Sequence, residues 1–357
     1  MADKLENYRL LGRSGLRVSP LAFGTMTFGV KGSWGSSDEE AARMIDHYVD
    51  RGGNFIDTAN FYAQGESERV LAKSMKGRRE RLVVSTKYSL TMERGDPNAS
   101  GNHRKNMMQS VEASLRRLET DYIDLLYLHI WDFRTPVEEI MRGFDDLARA
   151  GKILYAGISD TPAWQIARMQ TIADLRGWTP LVALQIPYNL AQRDVERDLL
   201  PMAKEMGIGA SPWSPLQGGI LTGKYSREDL KAAGPDGMGG IDTRKDIALM
   251  MGRLNERSLD IADVVKEVAQ DIGCSPAQVA LAWTLLHPAV VSPVIGARTF
   301  KQLEDNLAAI DISFTEEQIG KLEAVSRIDL GFPHDFLTEN NFRAMFGGVS
   351  VEKLGTR

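Results

Sequence analysis

Four polar side chains have the types needed for proton and hydride chemistry at a carbonyl group, and each sits just beyond a short apolar run. Asp57 and Tyr62 lie in FIDTANFY, Lys87 ends VVSTK and His129 ends LLYLH. Singly, each has an ordinary reading: the Asp as a turn or cap residue, the Lys as a solvated charge, the His as a satisfied core residue. Together, after successive apolar runs, they form a set with one chemical sense. Adding hydride to an aldehyde or ketone leaves an oxyanion that must take a proton. A tyrosine phenol, with an ordinary pKa of about 10, is a poor acid at neutral pH. A neighbouring ammonium favours the phenolate and lowers that pKa, and a carboxylate holds the ammonium in place. Tyr62 is the candidate acid, Lys87 and Asp57 its support, and His129 the hydrogen-bond donor that orients the carbonyl oxygen.

For these four to meet, their runs must be neighbouring strands of one sheet. Short β-branched runs do alternate with longer amphipathic stretches along the chain. Strands are predicted at Leu21–Phe23, Asn54–Ile56, Leu82–Ser85, Ile123–Leu128, Ile153–Ala156, Leu181–Ile186, Gly207–Pro212 and Val290–Val294. Helices are predicted at Ser37–Arg51, Ser67–Met75, Asn106–Leu118, Val137–Ala150, Ala163–Leu175, Asp194–Met206, across Asn255 to Leu286, and from Thr315, where Thr-Glu-Glu-Gln offers a capping box. This alternation is that of an α/β (β/α)8 TIM barrel, whose chemistry sits at the C-terminal ends of the strands. An open doubly wound sheet is the competing architecture. It lacks a G-x-G-x-x-G after the first strand, and the Gly-Met-Gly-Gly run at Gly237 follows no strand. Three segments stand outside the repeats: an N-terminal hairpin over 7–19 turning at Ser14-Gly15 and placed to plug the barrel bottom, a long Gly-rich loop after strand seven over 217–250, and a C-terminal tail from Arg327. No linker or repeat divides residues 1–357, so one domain is expected.

Composition fits this reading. Of 357 residues, 43% are hydrophobic and 25% charged, which is ordinary globular content. The net charge of −5 and the scattered basic residues exclude a nucleic-acid-binding face. The polar start MADKLENYRL is no signal peptide, and the apolar stretch Ala277–Leu286 is far short of the ~20 residues that cross a bilayer. The single cysteine, Cys274, forms no internal disulfide and reads as a structural thiol, so a cytoplasmic location is expected. The five histidines are dispersed, so no metal site is expected.

The strings FIDTANFY, VVSTKY and LLYLH, in this order, resemble the aldo-keto reductase family, and the similarity runs from YRLLGRSGLRVSPLAFGTMTFG through GARTFKQLEDN. Within the family the chain looks closest to the bacterial branch related to potassium-channel β subunits. The resemblance implies an NADPH-dependent reductase of aldehydes or ketones, reversible, with Asp57, Tyr62, Lys87 and His129 as its catalytic tetrad. The alternative function is a nicotinamide-binding redox-sensing or interaction subunit with vestigial turnover. The partner is then a small-molecule carbonyl or alcohol, with no nucleic acid and no membrane, and the oligomeric state is open.

The resemblance also implies where the cofactor lies. Gly24, Thr25 and Met26 would meet the nicotinamide end. Ser159, Asp160 and Gln185 would hold its carboxamide, with Asp160 standing where many members have Asn. Trp213 would stack on the ring. Ser214, Pro215, Leu216, Gly218 and Gly219 would bring backbone amides to the pyrophosphate, with Thr222, Gly223 and Lys224 closing over it. Gly296, Ala297 and Arg298 follow strand eight. Arg298 would pair with a 2′-phosphate, and Gln302, Asp305 and Asn306 would lie along the adenosine. NADP(H) is thus the expected cofactor, with NAD(H) as alternative. Met26, Phe28, Trp34, Tyr88, Trp131 and Trp213, with the tail near Phe332 and Phe336, are expected to line an aromatic substrate pocket.

Overall fold

The computed structural model describes residues 5–30, 35–231 and 244–349. Trp34, residues 31–33 and the Gly237 run therefore lie outside the described residues. An antiparallel hairpin, β1 (Arg9–Leu10) and β2 (Arg17–Val18), opens the fold. Eight parallel strands follow: β3 (Ala22–Gly24), β4 (Phe55–Asp57), β5 (Val83–Tyr88), β6 (Ile123–Leu128), β7 (Ile153–Ser159), β8 (Leu181–Pro187), β9 (Gly209–Trp213) and β10 (Val294–Gly296). They pair in chain order, with β10 returning to β3. Between β9 and β10 the wall closes through one bridge, Ala210 with Val290, where Ala210 N–H donates to the Ala289 carbonyl and Val291 N–H to that of Ala210, both at 2.8 Å. The result is a nearly closed (β/α)8 barrel.

The last strand is shifted from the expected Val290–Val294. Residues 289–291 serve β9, and pairing with β3 starts only at Val294, beyond Pro293, whose nitrogen has no proton to give a ladder.

Helices pack around the strands: α1 (Asp38–Asp50), α2 (Glu66–Met75), α3 (Arg104–Leu118), α4 (Val137–Arg149), α5 (Ala163–Arg176) and α6 (Leu199–Met206). The stretch expected from Asp194 is broken into a 3-10 turn, Asp194–Glu196, and α6. In the loop after β9 lie α7 (Arg227–Lys231) and α8 (Arg244–Met250). The stretch from Asn255 to Leu286 divides into α9 (Glu256–Ile272) and α10 (Pro276–Thr284). Gly273 ends the first with φ 81°, while the Ser275 hydroxyl caps the second with Pro276 at its first turn. After β10 comes α11 (Phe300–Leu307), in addition to the expected helices; its buried face holds Leu303, Asn306 and Leu307, too few apolar positions to show a period. The expected capping box appears at α12 (Glu316–Ser326), between Thr315 and Gln318, and α12 packs on α9. The tail ends in α13 (Glu339–Met345).

The hairpin seals the bottom of the barrel, where the sequence placed it. Leu11 and Val18 are fully buried against Phe55, Val83, Leu125 and Val182 at the lower ends of the strands. Among the described residues no helix is long and apolar enough to cross a membrane.

Candidate active site

Strand alternation decides which residues look into the mouth. On β5, Val83, Ser85 and Lys87 face inward and Val84, Thr86 and Tyr88 face the helices. Thr86 Oγ1 donates to the buried Glu68 of α2 at 2.6 Å, and Tyr88 packs edge-on against Phe144 of α4. Lys87 is thus directed at the C-terminal end of neighbouring β4, where its Nζ donates to Asp57 Oδ2 at 2.6 Å, to the Thr58 carbonyl at 2.8 Å and to the Tyr62 hydroxyl at 3.5 Å. All three ammonium protons have partners. The other Asp57 oxygen accepts from Ser85 Oγ at 2.8 Å and Gln185 Nε2 at 2.9 Å. Tyr62 is brought over the barrel by the turn after β4, where its N–H reaches the Ala59 carbonyl and Ala63 and Gln64 adopt left-handed φ of 48° and 55°. His129, next along the mouth after β6, meets the Tyr62 ring edge-on with centroids 6.0 Å apart.

The charges in this cluster are set by burial and by each other. Burial lowers the Lys87 pKa, but the Asp57 carboxylate and Tyr62 outweigh it, so the group stands above its ordinary value and remains an ammonium. Burial and the nearby Lys87 push His129 down to about 3, so its ring is uncharged at neutral pH, with Nδ1 unpartnered. For Tyr62 the expected lowering does not prevail. Lys87 does pull the phenol down, but burial pushes it up further, and the group stands above its ordinary value. Tyr62 therefore carries its proton in the resting site. A second phenol, Tyr127 on β6, has Lys87 Nζ 5.9 Å over its ring, but it is fully enclosed and burial drives its pKa up strongly. Only Tyr62 is half-open to the mouth.

Around the mouth the other expected residues take varied places. Gly24 and Thr25 are buried at the end of β3, and the Thr25 hydroxyl is tied to Ser67 Oγ at 2.8 Å; Met26 is exposed. Ser159 ends β7 and is buried. Gln185 is drawn toward the Lys87–Asp57 pair by its bond to Asp57. The indole N–H of Trp213 donates to Asp160 Oδ1 at 3.1 Å, and the Arg253 guanidinium lies 5.1 Å over the indole. No sequence signal pointed to Arg253. It arrives from the turn between α8 and α9, which Ala248, Leu254 and Leu259 anchor on Ile220.

The loop after Trp213 coils on itself. Ser214, Gln217, Gly218, Gly219 and Gly223 all have positive φ, and Pro215 and Leu216 lie between them. The N–H groups of Gln217, Gly218 and Gly219 bond to Ser214 and Leu216 within the loop, so the glycine amides expected to face a pyrophosphate are turned inward. Thr222 Oγ1 likewise donates to the Gly219 carbonyl. The Lys224 side chain lies against Gly219. After β10, Gly296 is exposed and Ala297 buried. The Gln302 side chain accepts the Arg298 N–H at 2.9 Å, and Asn306 donates to the Gly296 carbonyl at 3.1 Å. Asp305 does not join them. It turns to α10, accepting from Ser275 Oγ at 2.9 Å and Gln278 Nε2 at 2.8 Å.

Several expected pocket residues lie elsewhere. Tyr88 faces the helix layer, and its hydroxyl donates to the Asn102 carbonyl. Phe28 is fully buried, edge-on to Phe23. Phe332 and Phe336 are exposed and touch each other. Trp131 is buried at the edge of a groove of about 580 Å³ between the loops after β5 and β6, together with Ser89, Ile130 and Arg134; neither Tyr62 nor His129 is among the residues that line it.

The site fits a nicotinamide dinucleotide on its own features. Asp160 presents an oxygen, Oδ2, that no other described residue supplies with a hydrogen bond, beside a half-exposed indole. Comparison with known proteins agrees with this picture. The model of the "Aldo/keto reductase family" matches residues 20–327. The chain is 40% identical over 343 residues to "Norsolorinic acid reductase" of Aspergillus flavus, covering 93% of this chain and 84% of that protein. It is 36% identical over 352 residues to "Norsolorinic acid reductase B" of Dothistroma septosporum, covering 96% and 87%. Its identity to "Aryl-alcohol dehydrogenase [NADP(+)]" of Phanerodontia chrysosporium is 38% over 351 residues, covering 93% and 89%. These relatives are fungal, so the expected kinship with a bacterial branch related to potassium-channel β subunits is not supported.

Proposed function

Because this chain belongs to the aldo/keto reductase family, we propose that it reduces an aldehyde or ketone reversibly to the alcohol with NADP(H), using Tyr62 as proton donor. The observation that carries this reading is Lys87 Nζ at 2.6 Å from Asp57 and 3.5 Å from the Tyr62 hydroxyl at the barrel mouth. When bound, NADPH supplies the hydride. Tyr62 keeps its proton until charge develops on the substrate oxygen, then gives it up, and Lys87 stabilises the phenolate left behind. Asp57, fixed by Ser85 and Gln185, holds the ammonium in place. His129 donates a ring N–H to the substrate oxygen without adding a charge that would compete for the proton. In the oxidising direction the Tyr62 phenolate takes the alcohol proton.

Ser159 and Asp160 would hold the carboxamide, Trp213 would offer the ring the face that Arg253 leaves, and Lys224 and Arg298 would take the phosphates. Arg298 favours the phosphorylated cofactor over NAD(H). The relatives' names, norsolorinic acid and aryl alcohols, support an aromatic carbonyl or benzylic alcohol as substrate.

The test is NADPH consumption against a panel of aryl aldehydes and ketones, with Tyr62→Phe alongside. The variant should lose at least about 100-fold in turnover while fluorescence titration shows unchanged NADPH affinity. Equal turnover refutes Tyr62 as the acid. Titration of the same samples with NADH should give the weaker binding.

A further inference from the structure

We propose that Asp160 makes this site select the oxidised, positively charged nicotinamide over the reduced, neutral one. This rests on the reading that the site holds NADP(H). The residue is held at its backbone and at one carboxylate oxygen. Its backbone, at φ 41°, is held between the Gln185 carbonyl, which accepts the Asp160 N–H, and the Trp131 N–H, which donates to the Asp160 carbonyl. Oδ1 is anchored by the Trp213 indole at 3.1 Å, and Arg253 in turn covers that indole. Oδ2 receives no hydrogen bond from any other described residue, while the Trp213 bond holds the carboxylate by its other oxygen.

The charges facing Asp160 fall short of neutralising it. Lys87, from β5, is already paired with Asp57 at 2.6 Å. Arg253, from the turn before α9, stands over the Trp213 ring rather than on the carboxylate, and burial lowers its own pKa. Tyr62, from the turn after β4, is neutral in the resting site. Burial consequently pushes Asp160 up to about 6 despite Trp213, Lys87 and Arg253. What the carboxylate lacks is a cation. The two redox forms of the cofactor differ in charge at the nicotinamide ring: one brings a positive charge to this spot and the other does not. At an effective dielectric of about 20, a unit positive charge held near the carboxylate would be favoured on the order of ten- to a hundredfold. By linkage, binding the oxidised form must lower the Asp160 pKa to the same extent.

The experiment is a fluorescence titration of wild-type protein, Asp160→Asn and Arg253→Gln with NADP+ and with NADPH, in steps between about pH 5 and pH 8. Asn keeps an acceptor for the indole and tolerates positive φ. In the wild type the ratio Kd(NADPH)/Kd(NADP+) should climb as pH rises through about 6, where Asp160 ionises. Ionisation of the 2′-phosphate, common to both forms, cancels in the ratio. In Asp160→Asn the ratio should be flat and at least about tenfold lower at pH 7. In Arg253→Gln, which loses a charge that favours the carboxylate, the midpoint should move to higher pH. A flat wild-type ratio, or equal weakening of both forms in Asp160→Asn, overturns the proposal while leaving the cofactor reading intact. Wild-type protein that binds neither form overturns that reading, and this proposal with it.

Discussion

At the level of single residues, the site consists of two buried charges that satisfy each other and a third that is not satisfied. Lys87 and Asp57 are almost fully enclosed, with side-chain exposures of 0% and 3%, and five hydrogen bonds from or to the pair replace the water they lost. Removing one partner of such a pair strands the other and costs roughly 3–5 kcal/mol. Asp160 differs, because its folded pKa, about 6, lies above its unfolded value. A carboxyl group raised in this way binds its proton more tightly when folded, so it penalises folding as pH climbs from its unfolded value through about 6. Asp160→Asn should therefore melt higher than the wild type at pH 7 without cofactor. The gain should shrink as pH falls through about 6 toward 4, and differential scanning calorimetry across that range checks it. A gain that does not vary with pH would assign the effect to packing.

At the level of elements, the β/α units fix more than their lengths suggest. Once Lys87 looks into the barrel, the neighbouring residue on β5 must look out, so Tyr88 belongs to the α4 interface rather than to the mouth. The same local economy governs Asp305. With both oxygens engaged by Ser275 and Gln278, it ties α11 to the start of α10. Asp305→Ala should lower stability by about 1 kcal/mol, the usual worth of a helix-terminus contact, and leave NADPH affinity unchanged. A selective loss of NADPH binding in a variant of normal stability would return Asp305 to the cofactor.

For the whole molecule, the two ends of the barrel do different work. The upper end carries polar groups that are partly exposed or lack partners, among them Asp160 and His129, whereas the lower end is sealed by apolar contacts under the hairpin. Gly12 is the tightest point of that seal: it has φ 56°, and a Cβ there would meet the Gly207 carbonyl at 2.7 Å and the Gly209 nitrogen at 2.9 Å. Gly12→Ala should destabilise the fold by more than about 1 kcal/mol, through backbone strain and displacement of the plug. Chemical denaturation measures it, and kcat in the folded fraction should remain unchanged because the mouth lies at the other end. A variant as stable as the wild type would show that the plug can yield at no cost.

The sequence alone indicated the barrel, its strand order and the cluster of Asp57, Tyr62, Lys87 and His129, because these depend on local signals: apolar runs at regular spacing, a capping box at Thr315, and chemically unusual residues at or just beyond the ends of strands. Strand parity is also present in the sequence: with Lys87 facing inward, Tyr88 must face the helices. Tertiary structure alone decided the rest. The inward turn of the amides in the Gly218 loop depends on a run of left-handed residues bonding to one another, and the placing of Arg253 over Trp213 depends on how α8 and α9 dock. The direction of the Tyr62 pKa rests on a contest between Lys87 and burial. Sequence names the charge that lowers the phenol's pKa, but only the fold determines how much water is taken away.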